Sequence, residues 1–143
     1  PMVGPDGVKK KENHVNTEGF RYEADQFFGW LKDNGFLDKQ LYLVSGDRHW
    51  QYHAIHPSGF EEFSCGAICD ANAFKAIKPG DSNSTDPKGE VEHKYTQDGQ
   101  SGVFLRISVY PPKDLRPAEI KFAFYDEQGV VLYQVSKVAG NFF

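Results

Sequence analysis

Residues Leu41 to Cys69 limit the choice of fold more than any other stretch. The near-continuous apolar run Leu41-Tyr42-Leu43-Val44 reads as a strand buried on both faces, and Ser45-Gly46 then releases Asp47, Arg48 and His49 in succession. An acid, a cation and an imidazole delivered at a strand end is how a parallel sheet places reactive side chains at the carboxyl edge of its strands. Beyond them, Gln51 to His56 and Phe60 to Ile68 are extended runs separated by Pro57-Ser58-Gly59, which predicts a hairpin behind the Asp47 to His49 loop.

The flanking sequence fits an α+β chain rich in strands. Ala24, Phe27, Phe28 and Leu31 follow the i, i+3, i+4, i+7 spacing of one helical face, so one main helix is predicted over about 22–33. Thr17 or Asn16 would cap it, and Asn34-Gly35 would end it. Ala71 to Ile77 suggests a short second helix, and Lys78 to Gly102 reads as a long polar loop. Val103, Leu105, Ile107 and Val109 alternate with their neighbours until Pro111-Pro112 stops the strand. Ile120, Phe122 and Phe124 alternate again, and Asp126-Glu127-Gln128-Gly129 turns the chain back into Val130 to Val135, a C-terminal antiparallel hairpin.

Composition enters through what it excludes. With 16 basic against 20 acidic residues and a net charge of -4, no nucleic-acid-binding or membrane-surface character is predicted, and no apolar run approaches the length of a membrane span. Cys65 and Cys69 are too few for a disulfide framework and read as small, partly buried thiols. The 143 residues suggest one domain, 1–143. Pro1 to Asp6 reads as a strand exit into a turn, which gives the expectation that the sequence starts inside a domain.

Asp47 and His49 are the strongest chemical pair. Two residues apart in extended chain, a carboxylate and an imidazole point to the same side and suit a shared divalent or trivalent ion; the alternative is a salt bridge or a strand-end hydrogen bond. Arg48 is either a structural ion pair or a two-point grip on phosphate. Asn13, His14 and Asn16 lie in a polar loop that is either solvated surface or a source of amide and imidazole groups near the helix amino end. On strand parity His53 shares the side of Asp47 and His49 whereas His56 does not, and the parts played by His53, His56 and Cys65 stay open. There is no G-x-S-x-G elbow, no cysteine-nucleophile signature and no phosphate-binding Gly-rich loop ending in Lys-Ser or Lys-Thr.

At Ser45-Gly46-Asp47-Arg48-His49-Trp50 the sequence resembles the alkaline phosphatase D family, metal-dependent phosphatases related to the calcineurin-like phosphoesterases. Pro1-Met2-Val3-Gly4-Pro5-Asp6, Asn13-His14-Val15-Asn16, Phe63-Ser64-Cys65-Gly66 and Phe124-Tyr125-Asp126 look like stretches of that family's carboxyl-terminal half. The resemblance implies the C-terminal part of a metallophosphoesterase-like β-sandwich flanked by helices. It also implies a centre of two metal ions (Fe, Ca, Mn or Zn) that binds a phosphate ester and activates water. Asp47 and His49 fall where the wider superfamily writes Gly-His-x-His, with Asp47 replacing the first histidine. Asn13, His14 and Arg48 fall on the substrate side.

The motifs that supply the other ligands and the catalytic histidine are not among these residues. The resemblance therefore implies a portion that is inactive by itself, belongs to an exported protein, and self-associates through a truncated sheet edge. The rival reading is a non-catalytic β-rich binding or accessory domain in which Trp50, Tyr52 and Phe60 form a ligand face.

Overall fold

Alternation of side chains along two central strands sets the architecture. In β2 (Gln51–Ile55) and β3 (Glu61–Cys65) seven of the ten residues are buried, because successive side chains enter different cores. Tyr52 and Ala54 pack with Phe28, Leu31 and Phe60 on one face, while Phe63 packs with Phe122 and Phe124 on the other. The computed structural model describes residues 1–140, and in it the chain forms an α+β fold with one α-helix and two sheets.

The first sheet has the order β1-β3-β2-β4, with β1 (Tyr42–Ser45) parallel to β3, and with β2 antiparallel to both β3 and β4 (Glu92–Thr96). The second is the antiparallel meander β5 (Val103–Tyr110), β6 (Glu119–Asp126), β7 (Val131–Val138). Helix α1 (Arg21–Asp33) and the N-terminal loops cover the outer face of the first sheet, and the second sheet covers its inner face.

Two clusters hold these layers together. Ala24, Phe28 and Leu31 bury one stripe of α1, and the Phe28 ring stacks on Phe60 at 5.6 Å. Between the sheets, Phe63 stacks on Phe122 with centroids 3.8 Å apart and planes 3° from parallel. Each fully buried phenylalanine contributes roughly 1.5–3 kcal/mol of transfer free energy, so the inter-sheet trio outweighs the surface ion pairs around it.

Four expectations are corrected. Leu41 to Val44 is not buried on both faces: β1 is an edge strand, paired on one side only, and Val44 is 53 % exposed. No α-helix forms over Ala71 to Ile77; a 3-10 turn spans Asp70–Asn72, after which the Phe74 amide donates to the His49 carbonyl and the chain runs extended. The polar stretch Lys78 to Gly102 contains β4, which closes the far edge of the first sheet. Neither Thr17 nor Asn16 caps α1: the cap position is Phe20, and the Asn16 side chain instead accepts from the Glu18 amide one turn earlier. The Asn34-Gly35 ending is as expected, with Gly35 at φ +71°.

Candidate functional site

The loop that carries Asp47, Arg48 and His49 is shaped by strand order. Because β3 lies between β1 and β2, the link from Ser45 to Gln51 must cross the end of β3, two strand spacings or roughly 9.5 Å. The crossing is made where β1 and β3, which run parallel, both end, so the loop sits at the carboxyl edge of the sheet. Beneath it Gly66 adopts φ +76°, and a Cβ there would come within 2.5 Å of Val103 and 2.8 Å of Gln51; only glycine lets the β3 exit lie this close.

Asp47 is held in an unusual backbone conformation. The Arg48 amide donates to the Gly46 carbonyl at 2.8 Å, closing a three-residue turn centred on Asp47 at φ +67°. A left-handed conformation costs a residue with a side chain roughly 1–2 kcal/mol, and strain of this kind gathers where a side chain has to be presented. The Asp47 side chain is 78 % exposed, and its only ion pair among the described residues is a long one of 3.8 Å to Arg48. This corrects the extended geometry expected for Asp47 and His49: simple strand parity does not apply across the turn. The two residues instead share the walls of two adjoining cavities, one of about 370 Å³ reaching Gly66 and Cys69, and one of about 210 Å³ reaching Asp6, Lys10 and Trp50.

His49 is oriented from two sides. Its Nδ1 donates a hydrogen bond to the Asn72 backbone carbonyl, and its ring stacks on Phe74 at 4.4 Å and 9°. A carbonyl only accepts, so Nδ1 carries the proton and the neutral ring keeps its lone pair on Nε2. Metal-ligating histidines are held in this manner, one nitrogen on a carbonyl or carboxylate and the other on the ion. An exposed carboxylate and a histidine of fixed tautomer are thus a donor pair that fits a hard or borderline cation. No group of three or more His, Cys, Asp or Glu side chains placed to hold an ion occurs among the described residues.

Arg48 points inward and is 8 % exposed. Its Nη1 donates to the Asp6 carboxylate at 2.5 Å, tying the loop to the N-terminal segment. Its Nε and the Trp50 Nε1 are buried and have no partner among the described residues, and both side chains line the smaller cavity. Buried donors left unpaired cost about 1–3 kcal/mol each, and the carboxylates of Asp6, Glu12 and Asp47 that line the same cavity do not reach these two.

Asn13 and His14 are not brought to this place. Asn13 is buried, and its side chain is bonded within the loops: Nδ2 donates to the Gly4 carbonyl, and Oδ1 accepts from the Val15 amide and the Thr85 hydroxyl. His14 lines a narrow cleft with Arg21, His56 and Glu90, its Nε2 3.6 Å from the Glu23 carboxylate.

His53, expected on parity to share the side of Asp47, is buried between the sheets. It stacks on Phe63 at 4.2 Å, donates through Nε2 to Glu61 and meets the Tyr133 hydroxyl through Nδ1. His56 stacks on Phe28 at 4.1 Å, where burial lowers its pKa. Cys65 and Cys69 are free thiols, and Cys69 joins the wall of the larger cavity. The aromatic ligand face of the rival reading is absent, since Trp50, Tyr52 and Phe60 are each at most 4 % exposed and belong to the core.

Sequence reasoning missed Asp6, Lys10, Asn72 and Phe74. Asp6 and Lys10 come from the N-terminal loops, folded over the strand end by long-range bonds, and Asn72 acts through its carbonyl, which no residue pattern marks. The Phe74 ring could have been suspected only as an aromatic in a stretch too short and mixed to be a core element. No helix among the described residues is long and apolar enough to cross a membrane. No family model, no curated protein and no solved structure matches the chain.

Proposed function

We propose that this chain is the C-terminal part of a metal-dependent phosphoric ester hydrolase of the alkaline phosphatase D kind, with Asp47 and His49 as ligands to one or both of two divalent or trivalent ions. The observation that carries this reading is the His49 ring, with Nδ1–H spent on the Asn72 carbonyl and the plane fixed by Phe74, so that the Nε2 lone pair is left for a cation. When bound, Fe, Ca, Mn or Zn would supply Lewis-acid polarisation of the phosphoryl oxygens and a more acidic water.

The chain's own residues supply placement and charge. The turn at Asp47 presents a carboxylate to solvent beside the cavities, and the Asp6 contact holds Arg48 in their shared wall. The guanidinium Nε has no partner among the described residues, and a phosphate oxygen is the kind of acceptor a guanidinium matches. Lys10, paired with Glu12 at 3.6 Å, adds a second cation to the smaller cavity, and Glu12 lines it too. Asn13 acts as a positioning residue, since it fixes the loops on which Gly4 and Lys10 lie.

Under this reading the remaining ligands and the catalytic histidine come from outside the chain, which by itself is expected to turn over no substrate. Self-association belongs to the same proposal, at β1, where a further strand would find an unpaired edge.

The test is metal content together with turnover of phosphate mono- and diesters by the intact protein and by its Asp47→Asn and His49→Ala variants. Loss of both properties is expected. Retention of both by either variant rules out that residue as a ligand.

A further inference from the structure

A separate cavity lies far from Asp47 and His49. It has a volume of about 460 Å³ and opens on the outer face of the second sheet, where the turn between β5 and β6 folds back over the strands. The eight residues of β5 separate its two ends by roughly 24 Å, with the Asp47 loop beyond Val103 and this groove at Tyr110.

Its shape follows from the sequence. Lys121 is flanked across the strands by Ser108 and Ser136, whose small side chains leave a depression. Tyr110, Pro111 and Pro117 raise one wall above it. At the tip, the Lys113 amide donates to the Arg116 carbonyl and the Arg116 amide to the Lys113 carbonyl, at 3.1 and 2.9 Å, so these two cations stand directly opposite each other.

Like charges opposed in an antiparallel pair repel. Neither Lys113, Arg116 nor Lys121 has an acidic partner within 4.0 Å among the described residues. Three cations therefore face a groove whose only carboxylate is Glu119, in a chain of net charge -4. A volume of this size is that of a small-molecule site, not of a single inorganic ion.

We propose that this groove binds a ring-bearing organic phosphate of nucleotide size. Its phosphates sit between Lys113, Arg116 and Lys121, where an anion relieves the opposed charges. Its ring lies against the half-exposed Tyr110 and the proline wall. Glu119 and Ser136 are left to accept from, and donate to, hydroxyls of the ligand. The site is separate from the Asp47 loop and does not rest on the function proposed for that loop.

The experiment is equilibrium titration of the protein, without added metal, with ATP, inorganic triphosphate and adenosine. ATP is expected to bind more tightly than either part. Charge reversal by Lys113→Glu with Arg116→Glu should weaken ATP at least tenfold, and the neutral pair Lys113→Gln with Arg116→Gln should do so to a smaller degree. Tyr110→Ala should weaken ATP and leave triphosphate unchanged. His49→Ala should change neither.

No ATP binding at millimolar concentration, triphosphate binding as tightly as ATP, or ATP binding that survives the charge reversal would each overturn the proposal. So would its loss on His49→Ala, which would place the nucleotide at the other site. Because the tip residues are exposed, an unchanged circular dichroism spectrum is expected for all the tip variants, and it separates lost binding from lost fold.

Discussion

The Tyr52 hydroxyl donates a hydrogen bond of 2.8 Å to the Glu62 carboxylate in the middle of the first sheet, and both residues are at most 1 % exposed. The same carboxylate accepts from the backbone amides of Met2, Val3 and Gly4 at 2.8 to 2.9 Å, so that one side chain fastens the N-terminal segment to β3. Burial first, then the Glu62 charge, holds the tyrosine pKa well above its ordinary value, and the hydroxyl remains a donor. Gly4 is needed for this approach, since a Cβ there would lie 2.2 Å from the Tyr52 ring.

Glu62→Gln turns one acceptor oxygen into a donor facing backbone amides. It should destabilise the fold by roughly 2–4 kcal/mol, and Tyr52→Phe by about 1–2 kcal/mol. Urea midpoints at unchanged m-value measure both, and an unshifted midpoint for Glu62→Gln would show that the amides find other acceptors.

Asp47→Gly should separate stability from metal binding. Glycine adopts φ +67° without steric cost, so the variant should gain up to about 1 kcal/mol if relief of the turn exceeds the flexibility added to the unfolded chain. It should also remove the proposed carboxylate ligand and, with it, lower metal affinity at least tenfold. Asp47→Val, branched at Cβ, should be less stable than the parent. Thermal melting paired with metal titration reads both effects.

Phe74→Ala leaves both expected ligands in place and removes the surface that fixes the His49 ring. A drop in metal affinity of roughly tenfold is expected, toward the lower end of what loss of ligand orientation produces. Equal affinity in parent and variant would mean that the Asn72 carbonyl orients the ring alone.

Acid should weaken the fold in two stages. Burial first, and the Lys78 charge second, push the His93 pKa down to about 4 from an ordinary value of 6.5. The unfolded chain therefore binds more protons between these values, and the contribution of His93 is complete above pH 6.5 and lost as the pH falls toward 4. For Glu61, burial pulls the pKa upward, but the bonds and charges of His53 and Lys137 outweigh it and hold the carboxyl below its ordinary 4.5. Its contribution is complete above pH 4.5 and fades below. His93→Phe, which keeps an aromatic ring against Tyr52, should flatten the upper stage by up to about 1.4 kcal/mol per pH unit. Denaturant melts from pH 7 to 4 check the slope, and an unchanged slope would assign that stage to other groups.

Legibility in the sequence followed the kind of force involved. Helix α1 and strands β5 and β6 were readable from apolar residues at regular spacing, and β2, β3 and β7 as extended runs bounded by the turns at Pro57 to Gly59 and Asp126 to Gly129. β1 was found but misjudged, since its four-residue apolar run says nothing about how many neighbours it has. β4 was missed because Glu92-His93-Lys94-Tyr95-Thr96 is polar, as suits a strand at a sheet edge. The loop of Asp47 and His49 was legible as the exit of a strand, whereas the groups that orient its side chains, the Asn72 carbonyl and the Phe74 ring, were not. Asn13 looked like a donor to a ligand but is buried and bonded to Gly4, Val15 and Thr85, partners that only the folded loops bring near.

The insertion of β3 between β1 and β2 also dictates an order of assembly. The β2–β3 hairpin closes through the short turn at Pro57 to Gly59 and can form locally, whereas β1 must wait for β3 before it has anything to pair with. The loop bearing Asp47 and His49 is pinned at one end by this late, parallel, single-sided pairing. In native-state hydrogen exchange the amides of Leu43 to Ser45 should therefore open at lower free energy than those of Tyr52 to Ala54, and the carboxyl-edge loop should come apart while the sheets on either side of Phe63 remain closed.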